Sequence, residues 1–162
     1  MFDRYFEDSL KATTHDKRGK GTRRRVTPQA KVPGNWNDFL NDNFHKAELN
    51  VYLAETLVVM TYEPEKQLYV TKNEKVLSNC DIVMDDCDHE ESDTQLVVHC
   101  KNALSHGINL IKVMSIDTDV IVIFLGAFFK LRATHSITDI IIEYGQKEVK
   151  RLSLTSLASS LW

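Results

Sequence analysis

Six glycines, three prolines and three cysteines are few for a chain of 162 residues. So little glycine and proline excludes a collagen-like or low-complexity chain, and 43% apolar with 27% charged residues excludes wholesale disorder. Cys80, Cys87 and Cys100 include no Cys-x-x-Cys pair, which excludes a disulfide scaffold. His89, His99 and His106 lie near them, but the spacings match no familiar zinc finger. An apolar leader is missing too, since Met1 is followed at once by Asp3, Arg4 and Glu7. The most apolar stretch, Val120 to Phe129, is about half the length that spans a bilayer. These absences predict reduced thiols in an intracellular protein, nuclear or cytoplasmic, neither secreted nor membrane-bound.

The formal charge of −3 hides an uneven distribution. Residues 1–33 hold nine basic against four acidic side chains, a net +5. Residues 75–95 hold one lysine against seven acids, a net −6. Two solvated faces would be the plain explanation, but seven acids interrupted by apolar positions are denser than a solvated face needs. A basic arm beside an acidic knot suits a polyanion binder that also holds cations.

The length suits one domain. Residues 1–33 read as a basic helix and connector belonging to that domain, and residues 34–162 as its α/β core. Phe2–Phe6 can end a strand, and 7–18 can form a helix with Lys11 and Arg18 two turns apart on one face and Lys17 beside them. Lys20, Arg23, Arg24 and Arg25 then make a flexible basic connector around Gly19 and Gly21. Pro33-Gly34-Asn35 predicts a turn and a helix capped by Asn35, with Trp36, Phe39 and Leu40 at helical spacing. A second helix is expected over 46–57, strands over 58–62, 68–70 and 75–77, and a helix capped by Asp88 that runs to Ser105 and stops at His106-Gly107. A buried-type strand over 108–114 follows, then an apolar segment 120–131 whose length favours helix, a strand over 138–144 and a closing helix over 152–161. Helix, strand, helix, strand in succession implies right-handed crossovers and an α/β fold with a central, mostly parallel sheet and helices on both faces.

In such a sheet ligands bind beyond the carboxyl ends of the strands, where helix N-termini also point. Asp117 and Asp119 follow the strand over 108–114, and Glu90, Glu91 and Asp93 occupy the first turn of the helix before it. Acids at a helix start are often only caps. Several converging carboxylates repel one another, however, and a divalent cation relieves that repulsion. Mg²⁺ or Mn²⁺, up to two ions roughly 4 Å apart, would clamp the attacking and leaving oxygens of a phosphodiester. The basic arm would hold the phosphates of DNA or RNA.

Glu91-Ser92-Asp93, then Gly107, an apolar strand and Ser115-Ile116-Asp117-Thr118-Asp119, resemble the internal acidic motif of the flap-endonuclease (XPG-type) branch of PIN-like nucleases. The resemblance implies a PIN-like fold, with Glu91 and Asp93 as the first acidic pair, Asp117 and Asp119 as the second, and Glu90 able to replace Glu91. It implies that Asp3, in Phe2-Asp3, joins the metal site, and that Lys11 with Lys17 or Arg18 grips substrate phosphate. The wording around HEESDT and SIDTDVIV is also similar to uncharacterised animal proteins, among which mobile-element derivatives are expected. The family carries a further Asp before the Phe-Asp strand and another beyond the equivalent of Trp162, so the resemblance implies a domain incomplete at both ends. Two alternatives follow from the same residues. One is a non-catalytic nucleic-acid-binding or protein-interaction module of nuclease ancestry. The other is an Asp-x-Asp phosphatase with Asp117 as nucleophile and Asp119 as acid.

Overall fold

The computed structural model describes residues 25–60, 65–87, 89 and 91–161. The expected strand over 2–6, the helix over 7–18 and the cap at Asp88 lie outside the described residues, as do Asp3, Lys11, Lys17, Arg18, Lys20, Arg23, Arg24 and Glu90. The chain divides into two units, residues 1–92 and 93–162.

In the first unit, α1 (Trp36–Asn41) starts where expected, because the Asn35 side chain accepts the Asp38 N–H at 3.2 Å. Asp42 closes α1 and opens α2 (Asn43–Val59), where its Oδ1 accepts the N–H groups of Phe44 at 2.8 Å and His45 at 3.1 Å. One residue thereby serves two helix ends, its backbone N–H donating to the Phe39 carbonyl of α1 and its side chain capping α2. The kink it makes stacks the rings of Trp36 on Phe39 and of Phe39 on the buried His45, with centroids 5.2 and 4.6 Å apart. Val58 and Val59 belong to α2 and not to the strand expected over 58–62. Two β-branched residues cost a running helix only a few tenths of a kcal/mol each, and residues 61–64 lie outside the described set. The antiparallel hairpin β1 (Tyr69–Lys72) and β2 (Lys75–Ser78) turns through Asn73, whose φ of 55° suits asparagine better than most side chains. It packs on α2, with Lys72 paired to Glu55.

In the second unit, α3 (Ser92–Ser105) ends in a Schellman motif. Gly107 takes φ 85° and donates to the Leu104 carbonyl at 3.0 Å, while the Ile108 N–H reaches Ala103 at 3.1 Å. β3 (Leu110–Ser115), α4 (Asp119–Thr134) and β4 (Asp139–Tyr144) follow, with β3 and β4 parallel and Val113 opposite Ile142. The chain then turns at Gly145, where a Cβ would stand 2.4 Å from the Glu148 carbonyl. β5 (Lys150–Ser153) pairs antiparallel with β4, and α5 (Leu154–Leu161) closes the unit. The fold is mixed α/β, and among the described residues the parallel pairing is confined to β3 and β4 in the sheet β3-β4-β5. Residues 152–153, expected to open the closing helix, are strand instead. Leu152 packs against the core, and Arg151 on the other face donates through Nε and Nη2 to Glu143 at 3.0 and 2.6 Å.

The core is one face of the sheet covered by three helices. Val113, Ile140 and Ile142 meet Val120, Phe124, Phe128 and Leu131 of α4, Cys100 and Leu104 of α3, and Leu154 and Ala158 of α5. Phe124 and Phe128 are fully buried, so truncating either to alanine costs about 3–5 kcal/mol. No helix among the described residues is long and apolar enough to cross a membrane.

Two carboxylates tie the sheet together. Glu143, its side chain 10% exposed, is held below the usual carboxylate range first by Arg151 and then by Lys112, whose Nζ lies 3.3 Å away. Burial pushes Asp139 upward, but hydrogen bonds from Ser153, from the Thr155 N–H at 3.2 Å and from the Thr155 hydroxyl outweigh it, and its pKa falls. Depressed carboxylate values contribute stability above the unfolded values near 4, and that contribution is lost as pH falls through the folded values. Urea midpoints measured from pH 7 to pH 3 should therefore drop more steeply for the native chain than for Asp139→Asn combined with Glu143→Gln.

Candidate metal site at the carboxyl end of β3

The segment between β3 and α4 is fixed by its own side chains. Ser115 Oγ accepts the Asp117 N–H at 3.1 Å, and Asp117 Oδ1 accepts the Asp119 N–H at 3.0 Å. Thr118 occupies the N-cap position in a right-handed conformation and makes no side-chain capping bond, so Asp117 satisfies the helix end in its place. Asp119 is the first residue of α4. Both carboxylates are exposed, beside the positive end of the α4 dipole.

Asp93 is the second residue of α3 and half-buried. α3 packs on the sheet through Leu96, Val97, Cys100 and Leu104, then reverses at Gly107 into β3. Its 14 residues span about 21 Å and the six of β3 about 20 Å, so the N-terminus of α3 lies toward the carboxyl end of β3. Asp93, Asp117 and Asp119 therefore share one end of the second unit. They do not form a ready three-ligand set: among the described residues, no group of three or more His, Cys, Asp or Glu side chains is arranged to hold a metal ion. Glu91 is exposed just before α3, and Arg25 and Lys31, the members of the expected basic arm within the described residues, are exposed as well.

Mg²⁺ takes few carboxylates and keeps several waters. Asp117, with one oxygen occupied by the helix end, and Asp119 are the hard oxygen donors at this helix end. A second ion would need donors from elsewhere in the chain.

A polar cluster that the sequence reading passed over lies beside the hairpin of the first unit. The Cys80 thiol sits 3.3 Å from Ser78 Oγ and donates to Tyr69 Oη at 3.2 Å. These contacts, Ser78 before Tyr69, lower the Cys80 pKa, and the same contact pushes Tyr69 up to about 12. Burial pushes Cys100 up to about 12, and none of the three cysteines is in a disulfide. Only the cross-strand pairing of Tyr69 with Ser78 makes this cluster, a partnership that spacing along the chain does not reveal.

Two outcomes follow. Replacing Asp117 with alanine removes the α4 cap and should cost about 1 kcal/mol in urea denaturation, whereas Asp117→Asn retains an acceptor oxygen and should cost a few tenths. In timed iodoacetamide labelling read by mass spectrometry, Cys80 should react ahead of Cys100, and Tyr69→Phe should slow Cys80 at pH 8.

Compared with protein-family models, curated proteins and solved structures, the chain has no match in any of the three.

Proposed function

We propose that this chain carries a divalent-metal-dependent domain that hydrolyses phosphodiester bonds of DNA or RNA. The observation that supports the reading best is the pair of exposed carboxylates at the carboxyl end of a parallel strand, one of them oriented by its bond to the start of α4. Asp117 and Asp119 hold the ion, joined by Glu90, Glu91, Asp93 and Asp3. Lys11, Lys17, Arg18, Lys20, Arg23, Arg24 and Arg25 hold the substrate phosphates. A bound Mg²⁺ or Mn²⁺ supplies the positive charge that phosphoryl transfer requires. The protein's part is positional: the Asp119 N–H fixes one oxygen of Asp117 and leaves the other for the ion, while the basic arm holds the polyanion. In this reading β3 and β4 belong to a larger, mostly parallel PIN-like sheet with helices on both faces, in an intracellular protein.

The second reading is a nucleic-acid-binding or protein-interaction module of nuclease ancestry, without catalysis. The experiment is incubation of the purified chain with labelled flap, single-stranded and RNA substrates in Mg²⁺ or Mn²⁺. Hydrolysis that falls about 100-fold or more in Asp117→Asn and in Asp119→Asn supports the nuclease. Binding without cleavage, unchanged by EDTA, supports a nucleic-acid-binding module, and neither binding nor cleavage defeats that module and the nuclease alike. If the arm holds phosphates, alanines at Arg23, Arg24 and Arg25 should reduce the slope of log affinity against log salt by about 2–3.

A further inference from the structure

The rings of Trp36, Phe39 and His45 form a column in the first unit, 15° from parallel between Trp36 and Phe39 and 3° between Phe39 and His45. Phe39 and His45 are buried, but Trp36, at the end of the column, is 41% exposed. Among the described residues its ring stacks on Phe39 alone, by one face. The chain that leads to Trp36 flanks this column. The Val26 N–H donates to Glu48 Oε2 at 3.3 Å, and Glu48 lies one turn along α2 from His45. Residues 26–35 therefore run from the His45 end of the column to the Trp36 end, bordered by the exposed Arg25 and Lys31. Neither cation makes an ion pair among the described residues. The acids nearby are already engaged: Asp42 caps α2, Asp38 accepts from the Asn35 side chain, and Glu48 accepts from Val26.

We propose that the outer face of Trp36 is a stacking platform for an unpaired base of single-stranded nucleic acid, with Arg25 and Lys31 on the adjoining phosphates. A base laid on that face adds a fourth ring to a column whose other members are fixed in the fold. Because Phe39 already sets the plane of the indole, little side-chain freedom is lost when the base arrives. Every base has a flat π face, so the platform is tolerant of sequence. Inside a duplex both faces of a base are covered by its neighbours, which makes a single strand the substrate that fits. An aromatic side chain of a protein could offer the same flat ring, but it would bring no phosphates for the two unpaired cations. The proposal rests on the nucleic-acid part of the function proposed above and deepens it by naming the single strand. It is independent of the carboxylates and of any metal.

Trp162 is the other tryptophan of the chain, so Trp162→Phe leaves Trp36 as the sole indole. Titrating that full-length variant in EDTA with an oligothymidylate of about 12 nucleotides should quench Trp36 fluorescence as the strand binds. By anisotropy of a labelled strand, Trp36→Ala should weaken binding about 5- to 100-fold, and Trp36→Phe should recover most of the loss. Neither should change the slope of log affinity against log salt, whereas Arg25→Ala with Lys31→Ala should reduce it by about 1. Replacing bases by abasic sites should weaken binding more for the native chain than for Trp36→Ala. Circular dichroism checks that each variant folds, and the quenching measurement keeps Trp36 itself in place. Binding that leaves Trp36 fluorescence unchanged, or an equal abasic penalty in the native chain and Trp36→Ala, overturns the platform and leaves the nucleic-acid reading standing. No binding by the native chain overturns both. Quenching without cleavage in Mg²⁺ supports the platform and counts against the nuclease alone.

Discussion

Burial of Phe124 and Phe128 against Val113, Ile140 and Ile142 is the contact on which the second unit depends. It presses α4 onto the sheet along its whole length, and the geometry on either side follows. A helix held there must begin just beyond the carboxyl end of β3 and end where β4 starts, which is what makes the two strands parallel. The acids between β3 and α4 are thereby set at the edge of the sheet. Without that packing, Asp117 and Asp119 would be two charges in a surface loop. With it, they stand at a fixed helix end, and the charge of α4 is aligned with them.

The elements that were legible in the sequence are those whose signals are local. Asn35 and Gly107 act at the ends where they stand, and both helix ends fall where their residues place them. The β1–β2 hairpin and the strands β3 and β4 follow from short apolar runs separated by turn residues. What escaped depends on partners distant in the chain. β5 is a strand because Leu152 faces the core and Arg151 reaches Glu143, eight residues earlier on the neighbouring strand. Val58 and Val59 are helical because α2 was already running when it reached them, and β propensity does not outweigh a helix in progress. The sidedness of α4 was equally hidden. A segment apolar all round has no periodic signal, so only the structure separates the residues that face the core from those that face solvent.

For the candidate site, sequence spacing placed Asp117 and Asp119 beyond a strand and at a helix start, and they are there. Their division of labour was not legible. Thr118 is the residue at the N-cap position, yet its backbone is right-handed and its hydroxyl caps nothing. The capping falls one residue earlier, on Asp117, because the Ser115 hydroxyl first turns the chain by accepting the Asp117 N–H. A hydroxyl two residues back is a weak cue among many serines.

That division bears on how one carboxylate can serve both stability and chemistry. A helix cap needs one acceptor oxygen, and an aspartate has two. Binding Oδ1 to the Asp119 N–H limits rotation about the Asp117 side chain and so presets the direction of Oδ2. An acid held only by water would lose that freedom at the moment of binding an ion, at the expense of affinity. The same bond sets a limit on the site. The helix N-terminus already favours the negative charge of Asp117, and a cation drawn to that charge must compete with the positive end of α4. In the proposed function Asp119, adjacent and exposed, would add a second negative charge on the cation's side of this competition. Capping α4 uses Asp117 alone; in the proposed function it is the pair that would give the edge of the sheet an excess of negative charge to offer a metal.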